Sequence, residues 1–426
     1  MRTLSGHTLL IFIGFTALSW WMFADNDSPD LRATWMAGQF FAAGLTDQIY
    51  VGSETYFSML PHPDWTAYLD GLGHEGAVFP FVYPPLWAAL SGYVAPHVGF
   101  GAIKTVAQIL NPLLMVGMVW LASRTAKGSQ VPLALMTLVG SMILIASLPG
   151  GVALEQNQPQ ILVSFLIVAA IERSRAGAPI TAGAALALAA AIKLYPALLV
   201  VVWIAARQWR ATAAFAVIGG ALGILSIALA GWPLHEAFLA EIEVIRRTII
   251  ATPFTYGIDP ILAQLFHARD MHVITSPGSE QVLRWSVLEK PAMWTAASSA
   301  AMVLIVLAAY RWIRTSGDDV LAWPILLIAL TFVSPLAWGY HYLAAMAFLP
   351  HLLDRFGMRL GLLTLLAAAL PLTLPALQLV SAAPVWMNAP IILGAMAVIG
   401  HALLYAAATR PAHRGHEALR ARTEHI

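Results

Sequence analysis

Residues 8–24 read TLLIFIGFTALSWWMFA, without one charge, and run directly into Asp25-Asn26-Asp27-Ser28-Pro29-Asp30. An apolar run of this length reaches the lower end of the roughly 17 to 25 residues that a helix needs to cross a hydrocarbon core of about 30 Å. Similar runs recur along the chain, which is 59% hydrophobic and only 11% charged, whereas ordinary soluble domains carry roughly a quarter charged residues. That balance excludes a soluble globular domain. In lipid every backbone N–H and C=O needs an internal partner, so the spans are predicted to be helices. Cysteine is absent, which removes disulfides, thiolate metal sites and cysteine nucleophiles from consideration.

The bases divide the chain by side. Fifteen of the 23 lysines and arginines lie in short connections or at the two ends, in company with six acids. The positive-inside rule places these segments in the cytoplasm, leaving eight bases and 16 acids for the other side and the membrane interior. The resulting expectation is an all-α polytopic protein of the inner (plasma) membrane, with about 12 transmembrane helices, both termini cytoplasmic and two long extracytoplasmic loops. The spans are placed at residues 8–24, 101–122, 131–149 and 159–171, in two short helices meeting near Lys193, then at 211–230, 292–312, 320–336, 340–353, 358–380 and 388–409. Residues 1–409 form a single membrane domain with outer loops at 25–80 and 231–291, and 410–426 form a cytoplasmic basic tail. Trp20 and Trp21 suit the outer interface of the first span, and Met22 and Ala24 give no small-x-small cleavage site, so this span is read as an uncleaved anchor. Leu31 to Leu45 are amphipathic enough to lie along the interface, and residues 82–96 are read as interfacial or re-entrant.

Ionisable side chains near membrane depth cost about 2.5 to 3.5 kcal/mol on insertion scales, so each marks a functional candidate. In the predicted topology Asp30, Tyr83, Gln156, Asn157, Gln158, Lys193, Tyr195, Trp338, Tyr340 and His341 all fall on the extracytoplasmic side. That clustering points to one cavity rather than a channel. Asp30 can cap the helix that follows Pro29, or act as a base if partial dehydration raises its pKa. Lys193 is the only charge between Thr181 and Ala206. It is either a snorkelling interfacial lysine or a clamp for a lipid phosphate, with Tyr195 assisting. Gln156-Asn157-Gln158 is either a plain loop or a set of amides suited to sugar hydroxyls. The run from Ser334 to His341 adds a proline break, an indole for stacking on a sugar face and an imidazole able to donate to phosphate.

Asp30 with Tyr50, Phe81-x-Tyr83-Pro84-Pro85, Asn157-Gln158, Lys193-x-Tyr195-Pro196 and Ser334-Pro335-x-x-Trp338-x-x-His341 together resemble glycosyltransferase family 87. This family includes polyprenol-phosphate-mannose-dependent alpha-mannosyltransferases. The resemblance implies a glycosyltransferase C fold that moves a sugar, mannose as first expectation, from a polyprenyl-phosphate donor to a lipid or glycan acceptor on the extracytoplasmic face, with inversion. It implies Asp30 as catalytic base and Lys193 and His341 as donor-phosphate contacts; beside them, the residues' own chemistry is read as making Tyr195 a donor-phosphate contact and Asn157, Gln158, Tyr83, Trp338 and Tyr340 sugar or acceptor contacts. Where the family often has Gly before Asn-Gln this chain has Gln156, and beside Trp338 it has Gly339 and Tyr340. The expected partners are the donor, the acceptor and membrane lipids, with no nucleic acid. No metal or other cofactor is required, although Asp25, Asp27 and Asp30 offer ligands for a divalent ion. A flippase for lipid-linked saccharides is the rival reading; it predicts midplane sites and internal repeats, which the sequence does not display. A non-catalytic membrane scaffold leaves the polar clusters without a purpose.

Overall fold

The computed structural model describes residues 5–51, 55–74, 76–126, 128–275, 284–317, 319–381 and 389–409. The basic tail expected at 410–426 lies outside the described residues. Among those described, five helices are long and apolar enough to cross a membrane: Gly6–Phe23, Phe100–Arg124, Trp209–Ala230, Ala292–Ser316 and Ala389–Ala408. Each overlaps one of the spans placed from the sequence. Trp209–Ala230 fully buries only Ala211 and Ser226, and about half of its residues are exposed, so one side of it packs on the protein and the other is left for lipid. The chain is a multi-pass membrane protein.

The other apolar segments are shorter and bent, and prolines account for several of the breaks. The expected span at 131–149 divides at Ser147, whose extended backbone ends Leu133–Ala146 and whose hydroxyl accepts from the Gly150 N–H to start Leu148–Glu155. Residues 340–353 form three short pieces, Gly339–Tyr342, Leu343–Met346 and the start of His351–Phe356, interrupted ahead of Pro350. Residues 358–380 are likewise split by a tight turn containing Pro371. A proline inside a helix removes one hydrogen bond and collides with the preceding turn; surrounding helices must then satisfy the freed groups. Tyr405 adds a tie across this region, donating from its hydroxyl to the Ala345 carbonyl at 2.6 Å.

The expectation of an all-α chain is corrected in one place. Between residues 248 and 289 lies a three-stranded antiparallel sheet, ordered β1 (Thr248–Ala251), β3 (Arg284–Glu289), β2 (His272–Thr275). Ile249 opposes Leu288, and Val273 opposes Ser286. Strands of four to six residues leave little periodic signal, and their pairing is long range. Before the sheet runs the amphipathic helix Trp232–Arg246, and after β1 comes Ile258–Phe266.

Early in the chain, Pro29–Ala42 and Pro85–Gly92 pack closely because Gly38 has no side chain. A Cβ there would lie 2.4 Å from the Ser91 hydroxyl oxygen. The sheet region is fastened elsewhere by a buried ion pair. Lys290 Nζ meets Asp259 Oδ2 at 2.8 Å with both side chains essentially inaccessible, and the Trp294 indole donates to Asp259 Oδ1 at 2.9 Å. Removing one member of such a pair leaves an uncompensated charge, which costs about 3 to 5 kcal/mol. Lys290→Met is therefore expected to lower thermal stability markedly in detergent or nanodiscs, and Lys290→Met with Asp259→Leu to recover most of the loss; equal melting of the single variant and the parent would show that the pair contributes nothing.

Candidate active site

One cavity of about 460 Å³ collects side chains from both sequence halves. Most of its wall is apolar, from Phe79, Val82, Val152, Leu194, Phe238 and Phe254 among others, and its polar lining includes Asp30, Tyr83, Gln158, Lys193, Tyr195, Tyr340 and His341. Residues separated by more than 300 positions in the sequence thus share one chamber.

Asp30 stands one residue inside the helix Pro29–Ala42, in its first turn. The N-cap is Ser28, in the left-handed region at φ 55°, and it makes no side-chain capping bond. Asp30 is therefore not the cap; its carboxylate opens on the cavity, close to the helix N-terminus where negative charge is favoured. Burial pushes the Asp30 carboxyl up from the usual carboxylate range to about 7, against the opposing pull of the Lys193 charge and a hydrogen bond from Gln158. Asp25 and Asp27 are exposed. No group of three His, Asp or Glu side chains among the described residues is arranged to hold a metal ion.

Gln158 joins the polar side chains to one another. Its Oε1 accepts from the Tyr83 hydroxyl at 2.8 Å, leaving its amide nitrogen to donate toward Asp30 and the Tyr340 oxygen. Tyr83 is in turn held by Tyr50, whose hydroxyl donates to the Tyr83 carbonyl at 2.7 Å. Lys193 occupies the extended joint where the helix Pro179–Ile192 stops and a tight helical turn begins at Tyr195. Its ammonium lies 5.5 Å from the centre of the Tyr83 ring, 5.4 Å from that of Tyr340 and 3.2 Å from His341 Nε2. The Tyr195 hydroxyl receives a hydrogen bond from Gln160 at 2.7 Å.

The turn carrying Trp338, Tyr340 and His341 is shaped from outside. Gly339 N–H donates to the Phe254 carbonyl and Tyr256 N–H to that of Ala337, both at 2.8 Å. A Cβ on Gly339 would lie 2.8 Å from the Tyr256 ring, so this position takes no larger residue without displacing Tyr256. Trp338 and Tyr340 stack with ring centres 5.9 Å apart and planes 12° from parallel.

Eight of the nine site residues named from the sequence line this cavity, as does Gln156. Asn157 is the exception. It is buried, adopts φ 48° and uses both ends of its amide internally: Nδ2 donates to Ser28 Oγ at 2.8 Å, and Oδ1 accepts from Asn111 at 2.9 Å. It shapes the turn before Asp30 rather than facing the chamber. Sequence reasoning also missed Arg246, Arg284 and Trp285, which line the cavity from the region of the sheet. The available signal was that five of the eight bases not placed in the cytoplasm fall in residues 231–291.

The family model for glycosyltransferase family 87 matches residues 81–338, more than half of the chain. This protein belongs to glycosyltransferase family 87. It is accordingly a membrane glycosyltransferase. Among solved structures, the chain is similar to ArnT from Cupriavidus metallidurans bound to undecaprenyl phosphate, at 14% identity and a TM-score of 0.37, over 94% of this chain and 76% of that one. No curated protein matches. The matched range contains Tyr83, Gln158, Lys193 and Trp338 but ends before His341 and begins after Asp30, so the cavity joins residues inside the family match to others beyond it.

Asn157 gives a test of this construction. Asn157→Ala retains neither amide bond and places a residue with a Cβ but no polar side chain in the left-handed region. Each lost buried hydrogen bond costs about 1 to 3 kcal/mol, so a clear drop in melting temperature is expected; an unchanged melt would show that the Ser28 turn is held by other contacts.

Proposed function

We propose that this family 87 enzyme transfers one sugar, mannose as first choice, from a polyprenyl-phosphate donor to a hydroxyl of a lipid or glycan acceptor, with inversion at the anomeric carbon. The observation that carries the reading is the shared chamber: a carboxyl adjusted to about 7 and a lysine ammonium face the same apolar cavity. Asp30 accepts the proton of the acceptor hydroxyl as its oxygen bonds to the anomeric carbon. The bond from that carbon to the phosphate oxygen breaks, and the electron pair leaves with the polyprenyl phosphate, whose growing charge falls beside Lys193. Tyr83, Gln158 and Tyr340 offer polar edges for sugar hydroxyls, and the Trp338 indole offers an apolar face. A mostly apolar wall suits a donor carried on a lipid. On the charge distribution of the sequence, the chamber opens on the extracytoplasmic side of the inner membrane, with both termini in the cytoplasm. Residues 1–409 act as one membrane domain.

The test is transfer by purified protein in nanodiscs, supplied with a polyprenyl-phosphate-mannose and candidate acceptor lipids. Asp30→Asn is expected to reduce turnover by about 10² to 10⁴-fold, the usual contribution of general base catalysis, while melting as the parent does. Full activity in this variant would remove Asp30 from the role. Movement of donor lipid across a bilayer without sugar transfer would favour a flippase instead.

The pH dependence has a fixed sign. Asp30 must be ionised to accept a proton, and its raised pKa of about 7 makes the active fraction grow as pH rises through that value. Turnover is expected to fall about tenfold for each pH unit below 6 and to rise as pH passes through 7. A rate constant flat from pH 5 to 8 would contradict a base with this environment.

A further inference from the structure

The imidazole of His341 is held by two contacts that fix which of its nitrogens carries hydrogen. Nδ1 lies 2.9 Å from the Leu336 carbonyl oxygen. A carbonyl only accepts, so Nδ1 bears the hydrogen. Nε2 lies 3.2 Å from Lys193 Nζ. An ammonium only donates, so Nε2 presents its lone pair. Lysine is ordinarily more basic than histidine by about four pH units, which keeps the hydrogen between them on Lys193. In this arrangement His341 has no N–H left to offer a ligand.

From this geometry we infer that His341 is a positioning residue: a neutral acceptor that aims the Lys193 ammonium into the cavity, with no direct contact to the donor's phosphate. The surrounding groups fit the assignment. Tyr83 and Tyr340 turn ring faces toward the same ammonium at 5.5 and 5.4 Å, and ring faces attract cations. The rings of Tyr340 and His341 meet nearly perpendicular, with centres 5.0 Å apart, which limits rotation of the imidazole. Lys193 is a flexible side chain with three donors; one is taken by His341, and the others remain for an incoming anion. A charged imidazolium here would repel the lysine it now holds. This inference rests on the reading of Lys193 as the phosphate contact, but its first test does not.

That test uses ligand-free protein labelled with ¹⁵N-histidine, with the His341 signals assigned by their loss in His341→Gln. Nδ1 is expected to be protonated and Nε2 not, with the Nε2 signal moving in Lys193→Met. A protonated Nε2 would overturn the proposal. The second test is equilibrium binding of a synthetic polyprenyl-phosphate-mannose in nanodiscs. His341→Ala is expected to weaken binding about tenfold in the otherwise native protein and less than about twofold when Lys193 is already Met, the non-additivity of residues acting as one unit. His341→Gln, which restores an acceptor near the Nε2 position, is expected to stay within about threefold of the parent. Equal losses from His341→Ala in both backgrounds would make the histidine an independent ligand contact and overturn its positioning role. If the parent fails to bind this donor while the tautomer is as stated, the donor assignment fails and the contact between His341 and Lys193 stands.

Discussion

The amide of Asn157 is the small constraint on which the chamber depends. It sits between the helices Leu148–Glu155 and Gln160–Arg175 and reaches two other parts of the protein, Ser28 before the Asp30 helix and Asn111 within Phe100–Arg124. In a dry interior each of these groups would be expensive to leave unpaired. Bonding them to one another fixes the position of three helices with a single side chain. The next residue, Gln158, then faces Asp30 from a backbone already held in place. A dipeptide of two amides thus divides its labour: the first braces the framework and the second enters the chamber.

Burial acts on the two charged groups in a related way. Asp30 and Lys193 lie among aromatic and aliphatic walls that oppose charge, and each supplies part of the field that keeps the other ionised. The same walls that make a carboxyl easier to protonate also make it a better base once ionised. The apolar lining therefore governs reactivity as well as fit to a lipid.

Much of this was legible in the sequence, and the unevenness has physical causes. Long uncharged runs such as 8–24 and 211–230 state their helices outright, because lipid permits little else. Asp30, Lys193 and His341 stood out because charge or imidazole in so apolar a chain is conspicuous. Asn157 was read as a ligand contact because composition reveals that an amide is present, not which way it faces; its left-handed backbone and two partners are tertiary facts. The sheet escaped because β3 finds β1 across some 35 intervening residues, and strands that short carry no decisive pattern. Arg246 and Arg284 were counted only as part of a charge balance, since their approach to the cavity depends on that same sheet.

The size of the chamber sets a boundary between two kinds of recognition. At about 460 Å³ it falls in the ordinary range of small-molecule pockets, roughly 300 to 1,000 Å³, which is room for a headgroup and not for a long isoprenoid chain as well. On the proposed donor, the tail must rest against the outside of the protein or among the acyl chains of the bilayer. Affinity would then be divided between a pocket that reads chemistry and a solvent that reads only length. Water-soluble analogues with truncated tails would report the first of these alone, and the bilayer's own thickness and fluidity become part of the enzyme's apparent substrate preference.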